Sequence, residues 1–291
     1  AVRVCIMGLL NKFAGVVVPI VFAAVVVSGV ANGAEQLTQA QKDAMASSLV
    51  APYLAIAGLI FLFAVFAKYS PLPDLTFEEE STSGKGEVKE ALSHPHLALG
   101  VIAIALYVAV EVIAADTIGS YALHLKIADY SVMTSYTMVC MLVGYAIGIA
   151  LIPRYMSQQS ALIMSGVAGI FVDLAVVFGS NESFIISNFI LVPFGGPELP
   201  DPLLCIALLG FANAMVWPAI WPLALAGLGR LTGTASGLLI MGIAGGALGP
   251  LLLGLANMSG LGPQGAYSVM IPCYLYILFY ALKGHKMRSW S

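Results

Sequence analysis

Gly246-Ala-Leu-Gly-Pro250, with Ser259-Gly260 following nine and ten residues after its proline, repeats a pattern met near the start of the chain. There, Gly15-Val-Val-Val-Pro19 is followed at the same distances by Ser28-Gly29. Each copy lies in a long apolar run. The runs that come next also open alike, with Pro52-Tyr53-Leu54 against Pro272-Cys273-Tyr274-Leu275. Two matches in the same order point to a parallel internal repeat, in which one group of segments has the plan of another.

The solvent for those runs follows from composition. The 291 residues are 60% hydrophobic and only 9% charged, with a mean hydropathy of +0.95. A soluble domain carries roughly 25% charged residues, so this chain lacks the polar atoms to cover a globule in water. A soluble fold, disorder, collagen and a disulfide scaffold are excluded, and the partner for most of the surface is the lipid bilayer. A net charge of −3 offers no basic surface to a nucleic acid. The four cysteines, Cys5, Cys140, Cys205 and Cys273, are far apart and form no CxxC, so they read as packing residues. No metal set and no cofactor motif emerges. The chain opens on Ala1 without a basic-then-apolar leader, so it reads as one entered partway along, with no signal peptide.

A membrane-crossing helix needs about 20 apolar residues. Eight such runs are present: Val4–Val30, Leu49–Tyr69, Leu97–Gly119, Tyr136–Ile152, Ala161–Phe178, Leu203–Leu225, Ser236–Met258 and Ala266–Leu282. The acidic, Gly- and Ser-rich stretch Pro71–Ser93 (PLPDLTFEEESTSGKGEVKEALS) reads as a flexible linker between two bundles. If spans one and two match spans seven and eight, spans three to eight form a complete six-helix unit. The first unit then holds only its last two helices, and the parent would have twelve. The domain reading is 1–70 for those two helices, 71–96 for a cytoplasmic linker and 97–291 for the complete bundle. Alternating the spans from a cytoplasmic start puts ten basic residues inside: Arg3, Lys12, Lys68, Lys85, Lys89, Arg154, Arg230, Lys283, Lys286 and Arg288. Only Lys42 and Lys126 fall outside. This asymmetry predicts both termini in the cytoplasm.

Longer strings carry a family likeness. Gly210-Phe-Ala-Asn213-Ala-Met-Val-Trp217-Pro218-Ala-Ile-Trp221 resembles the tenth helix of the fucose/glucose/galactose:proton symporters of the major facilitator superfamily. Ser236-Gly-Leu-Leu239-Ile-Met241-Gly-Ile-Ala-Gly245-Gly246 is similar to the eleventh, and Pro272-Cys-Tyr274-Leu-Tyr276-Ile to the twelfth. Tyr107-Val-Ala-Val-Glu111-Val-Ile-Ala-Ala-Asp116 looks like the seventh. The resemblance implies an all-α membrane protein of the major facilitator fold, with eight transmembrane helices of an expected twelve. It also implies a monomeric carrier in the bacterial inner membrane that takes a sugar and a coupling proton by alternating access, with no cofactor. Asn11 matches an Asn that reaches the family's sugar cavity, whereas Gly8 stands where the fucose type has Gln, which leaves the sugar open. The family's own proton-carrying carboxylates lie on helices before this chain begins.

Candidate site residues stand out chemically. A carboxylate in hydrocarbon must face a cavity or a partner, or sit neutral, so Glu111 and Asp116 are candidates for substrate contact, coupling or gating. Tyr107 and Glu111, four apart, share a helix face; Asp116 is rotated about 140° from Glu111. Asn213, Trp217 and Trp221 recur every four residues, offering an amide and two indoles, which suit sugar hydroxyls and the apolar face of a pyranose. The predicted substrate set is Asn11, Tyr107, Glu111, Asn213 and Trp217, with Trp221 read as an anchor at the inner interface. The glycines of Gly233–Gly249 read as close helix packing rather than a phosphate loop, and Asp173 has no assigned role. A membrane enzyme is disfavoured: no HExxH or GxSxG occurs, and His94, His96, His124 and His285 lie at span ends. A non-transporting scaffold, a sodium-coupled carrier and an efflux carrier remain as alternatives.

Overall fold

In the computed structural model the described residues are 2–26, 39–70, 85–152 and 154–290. Ser28-Gly29 and linker residues 71–84 lie outside them. The chain forms two compact units, Ala1–Val17 with Ser83–Ser291, and Val18–Thr82. The described residues are helical or connecting, as the apolar runs require: in lipid, backbone groups must be paired within the segment.

Helix α1 is Val2–Val26 and α2 is Gln39–Tyr69, the latter starting ten residues before its apolar run. The linker ends in a short helix, α3 (Lys85–Leu92). There follow α4 (Pro95–Asp116), α5 (Ile118–His124), α6 (Met133–Leu151), α7 (Gln158–Phe178) and α8 (Ile185–Ile190). The sixth apolar run divides into α9 (Asp201–Asn213) and α10 (Val216–Ala224). Its break falls at Ala214-Met215, where Pro218 has no N–H to offer the carbonyl four residues back. The seventh divides into α11 (Thr232–Met241) and α12 (Gly245–Ala256) across a 3₁₀ turn. After α13 (Gly262–Gly265), α14 (Met270–Leu282) completes the bundle. Six stretches among the described residues are long and apolar enough to cross a membrane. The last of these, 229–286, is two passes separated at Gly260 and Gly262, whose φ of +100° and +73° suit a residue without a Cβ. In α1 the described residues Ile6–Val21 form a shorter apolar helix.

Contacts fix the relative directions. Tyr280 at the end of α14 donates to the carbonyl of His96 at the start of α4 (3.0 Å), while Tyr267 shares a hydrogen bond with Thr117 beyond its end (2.9 Å). Helix α14 therefore runs antiparallel to α4. On the neighbouring face Gly242 meets Val101 and Ile104, Gly245 meets Ala105 and Gly249 meets Ala109, so α11–α12 runs parallel to α4. A Cβ on Gly249 would lie 2.6 Å from the Ala109 carbonyl oxygen; small residues here serve close packing. Thr134 and Thr137 of α6 donate to the carbonyls of Ala115 and Ala114, making α6 antiparallel to α4. These directions are those of successive passes that alternate. Arg230 pairs with Glu90 at 2.5 Å, and both Arg288 and His96 reach the carbonyl of Ala226, so these groups share one end of the bundle.

One member of the basic set must be corrected. Lys12 is no loop residue: it lies inside α1, and its ammonium is paired with Glu111. The remaining asymmetry is nine against two.

Candidate functional site

The site starts from two residues one helical turn apart on α4. Tyr107 is 1% exposed, and its hydroxyl interacts with Glu111 and with Tyr145 of α6. Facing them is α1, which comes close because Gly8 has no side chain; a Cβ there would stand 2.6 Å from the Tyr145 ring. That approach brings the next turn of α1, Asn11 and Lys12, opposite Glu111. Lys12 Nζ donates to Glu111 Oε1, and each side chain is 14% exposed. The pair answers the problem a lone charge would meet in hydrocarbon.

Helix α10 supplies an aromatic wall. The Tyr107 and Trp217 ring centroids are 6.2 Å apart, and those of Trp217 and Trp221 are 5.5 Å apart. Tyr107 to Trp217 to Trp221 is thus a continuous run of rings, each at the separation of an aromatic pair. These groups line a cavity of about 610 Å³, whose polar and aromatic members include Asn11, Lys12, Glu111, Tyr145, Trp217 and Trp221. The volume is within the range of small-molecule sites. The indole N–H of Trp221 is buried and has no protein partner among the described residues. Chemically the cavity combines an amide, phenols, two indole rings and a charge pair that sums to zero. It can bond several hydroxyls while covering an apolar C–H face, and it supplies no net charge to hold an ionic ligand.

The structure brings together Asn11, Tyr107, Glu111 and Trp217. It does not bring Asn213 and Asp116 with them. Asn213 is not among the lining residues; it is fully buried, and its Oδ1 accepts a hydrogen bond from the Tyr274 hydroxyl at 3.0 Å. Its four-residue spacing to Trp217 crosses the turn at Ala214-Met215, and its amide is taken up by Tyr274 rather than by the cavity. Asp116 is exposed at the end of α4, on the face its 140° rotation assigns it.

Three lining residues were absent from the sequence-based set. Lys12 was counted only in the inside basic set, although it is a charge within the apolar run Val4–Val30 and one that could balance Glu111. Trp221 was read as an interface anchor. Tyr145 carries no local signal; only the path of α1 past α6 places it here.

The comparisons agree with this architecture. No family model matches the chain. A glucose/galactose transporter of Brucella abortus (biovar 1, strain 9-941) is 32% identical over 287 residues, covering 98% of this chain and 64% of that protein. A Helicobacter pylori (strain J99) protein is 29% identical over 282 residues, covering 92% and 62%. The chain thus spans less than two thirds of the length of these relatives. A crystal structure of a major facilitator superfamily transporter in the outward conformation superposes with a TM-score of 0.71 at 18% identity, covering 96% of this chain and 67% of that one. A variant of the Escherichia coli fucose:proton symporter matches with the same score at 17% identity, covering 96% and 68%. The chain is a multi-pass helical membrane protein with the fold of the major facilitator transporters, and the curated relatives it resembles are named glucose/galactose transporters.

Proposed function

We propose that this chain serves in secondary active transport of a hexose or deoxyhexose of the glucose, galactose or fucose type, by proton-coupled alternating access in the bacterial inner membrane. The observation that carries the reading is the cavity itself, lined by an amide, a neutralised charge pair and a run of tilted aromatic rings from α1, α4, α6 and α10. Such a lining suits an uncharged polyol with one apolar face. In this reading residues 1–70 are the last two helices of an N-terminal bundle, 71–96 the cytoplasmic linker and 97–291 the C-terminal bundle. Both termini are cytoplasmic and the protein works as a monomer. Asn11, Tyr107, Glu111 and Trp217 hold the sugar, with Lys12 and Trp221 added to them. Glu111 tunes binding and coupling, because sugar hydroxyls compete with Lys12 for its oxygens. The two bundles rock about the site, and the sugar drives that change only by its differential affinity for the outward and inward states.

The test uses the protein's own probes. Two of its three tryptophans, Trp217 and Trp221, line the cavity. Titrating the purified chain in detergent with D-glucose, D-galactose and L-fucose should give a saturable fluorescence change with one or more of them. In weakly buffered solution the same addition should draw protons from the medium. If none of the three sugars gives saturation, the sugar reading falls. If sugar binds without proton uptake and sodium shifts its affinity instead, the coupling ion is sodium.

A further inference from the structure

One buried acid is left unused by this cavity. Asp173 of α7 is fully buried, and neither carboxyl oxygen has a hydrogen-bond partner among the described residues. The ion pairs among those residues are Lys12–Glu111 and Arg230–Glu90, so no cation balances it. A second unsatisfied group is close by. Asn213 of α9 is fully buried, and while its Oδ1 takes the Tyr274 hydroxyl, its Nδ2 has no partner. Tyr274 of α14 is the common neighbour: its hydroxyl bonds Asn213, and Asp173 is near enough to act on it. Helix α7 packs on both α9 and α14, and the Tyr274–Asn213 hydrogen bond links those two, so this node joins three helices of the bundle.

We propose that Asp173 is a proton-binding site in the core of the C-terminal bundle, separate from the sugar cavity and joined to it through Tyr274, Asn213 and the break between α9 and α10. An unpaired carboxylate in the middle of a membrane protein is so costly that the group takes a proton or finds a partner. The surroundings offer no cationic partner. Of the titratable groups on α14, Tyr274 and Cys273 interact with Asp173, as does Tyr267 from the turn before; Tyr276 and Tyr280 of α14 bond the α4 carbonyls of Leu99 and His96. Helix α9 adds Asn213, and Cys205 and Asp201 nearer its start; α10 and α13 carry no titratable side chain. As an acid, Asp173 becomes a donor as well as an acceptor, and the free amide hydrogens of Asn213 can meet its carbonyl oxygen. As an anion it would draw the Tyr274 hydroxyl away from Asn213. The proton therefore decides which bond Tyr274 makes. Asn213 is the last residue of α9, four residues ahead of Trp217, so that choice is felt at the aromatic wall. This last link rests on the sugar-site reading; the proton site itself does not.

Infrared spectroscopy separates the two. The carbonyl stretch of a protonated carboxylic acid is absent from a carboxylate. The purified chain at neutral pH, without sugar, should show that band, and Asp173→Asn should remove one carboxyl's worth of it while Asp116→Asn leaves it. Asp173→Glu should keep the band and shift its position, which covers the case where the amide variant fails to fold. Adding the sugar found to bind should shift the wild-type band. A neutral-pH spectrum in which neither the Asn nor the Glu variant changes the protonated-acid region overturns the proton site. A band that depends on Asp173 but ignores saturating sugar keeps the proton site and overturns its link to the cavity. A band that appears only when sodium is withdrawn assigns the site to a cation instead and overturns the proposal.

Discussion

Removing the Lys12–Glu111 pair one side at a time is the sharpest perturbation of the cavity. At an effective dielectric constant of about 20, two unit charges 4 Å apart attract by about 4 kcal/mol, and this pair is in direct contact. Both side chains are 14% exposed, so neither has water enough to replace its partner. Glu111→Gln leaves an ammonium against Tyr107 and the two indoles; Lys12→Met leaves a carboxylate there. Breaking a buried pair from one side costs about 3–5 kcal/mol, whereas replacing both members with neutral groups of similar size is often close to neutral. Each single variant should therefore lower the stability of the chain by about that amount in equilibrium unfolding from mixed detergent micelles, followed by tryptophan fluorescence. The double variant Lys12→Met with Glu111→Gln should recover most of the loss, giving a coupling energy of about 3 kcal/mol or more. Sugar binding should not recover with it, because the double variant lacks the charged hydrogen-bonding atoms. Single variants that unfold at the wild-type midpoint, or a coupling energy near zero, would refute the argument.

Trp217→Ala should weaken binding of the transported sugar by roughly 2 kcal/mol with little change in folding, measured by titration followed at Trp221. Asn213→Leu leaves the Tyr274 hydroxyl without its acceptor and should destabilise the chain by about 1–3 kcal/mol; wild-type stability would show that this hydrogen bond is immaterial. Gly249→Val places side-chain atoms against the Ala109 backbone and should lower thermal stability by about 1–3 kcal/mol, while the same change at Gly237, where a Cβ meets nothing within 4 Å, should not. Cysteine in place of exposed Glu182 should react with an impermeant thiol reagent from outside intact cells, and one in place of exposed Lys286 only after the cells are opened; the opposite pattern inverts the topology.

The passes were legible because lipid leaves the chain so few options. A run such as Ala161–Phe178 can only be a helix in hydrocarbon, and the structure extends it by a single turn to Gln158. The glycines of α11–α12 were legible for a related reason: small residues at helical spacing in an apolar run have close packing as their one common use. What escaped the sequence was pairing between distant segments. Lys12 and Glu111 are 99 positions apart, and no local pattern tells a lysine near a helix end from one aimed across a cavity. Asn213 escaped for the same reason. Its spacing to Trp217 is a sound local signal, but its amide oxygen accepts from Tyr274, 61 positions away, which no local pattern announces.

Helix α4 also sets the order in which this bundle comes apart. It touches α6, α9, α10, α11, α12 and α14, so no neighbour can leave without uncovering part of it, and it cannot leave until most of them have. Its amides should be the slowest in the bundle to exchange hydrogen for deuterium, opening only with the whole unit, whereas α8 and the turns around Gly260 should exchange by local fraying. A single helix then serves both as the wall that carries Tyr107 and Glu111 and as the clock for unfolding. Any substitution that loosens it should shorten the lifetime of the folded chain in the membrane before it is noticed at the cavity.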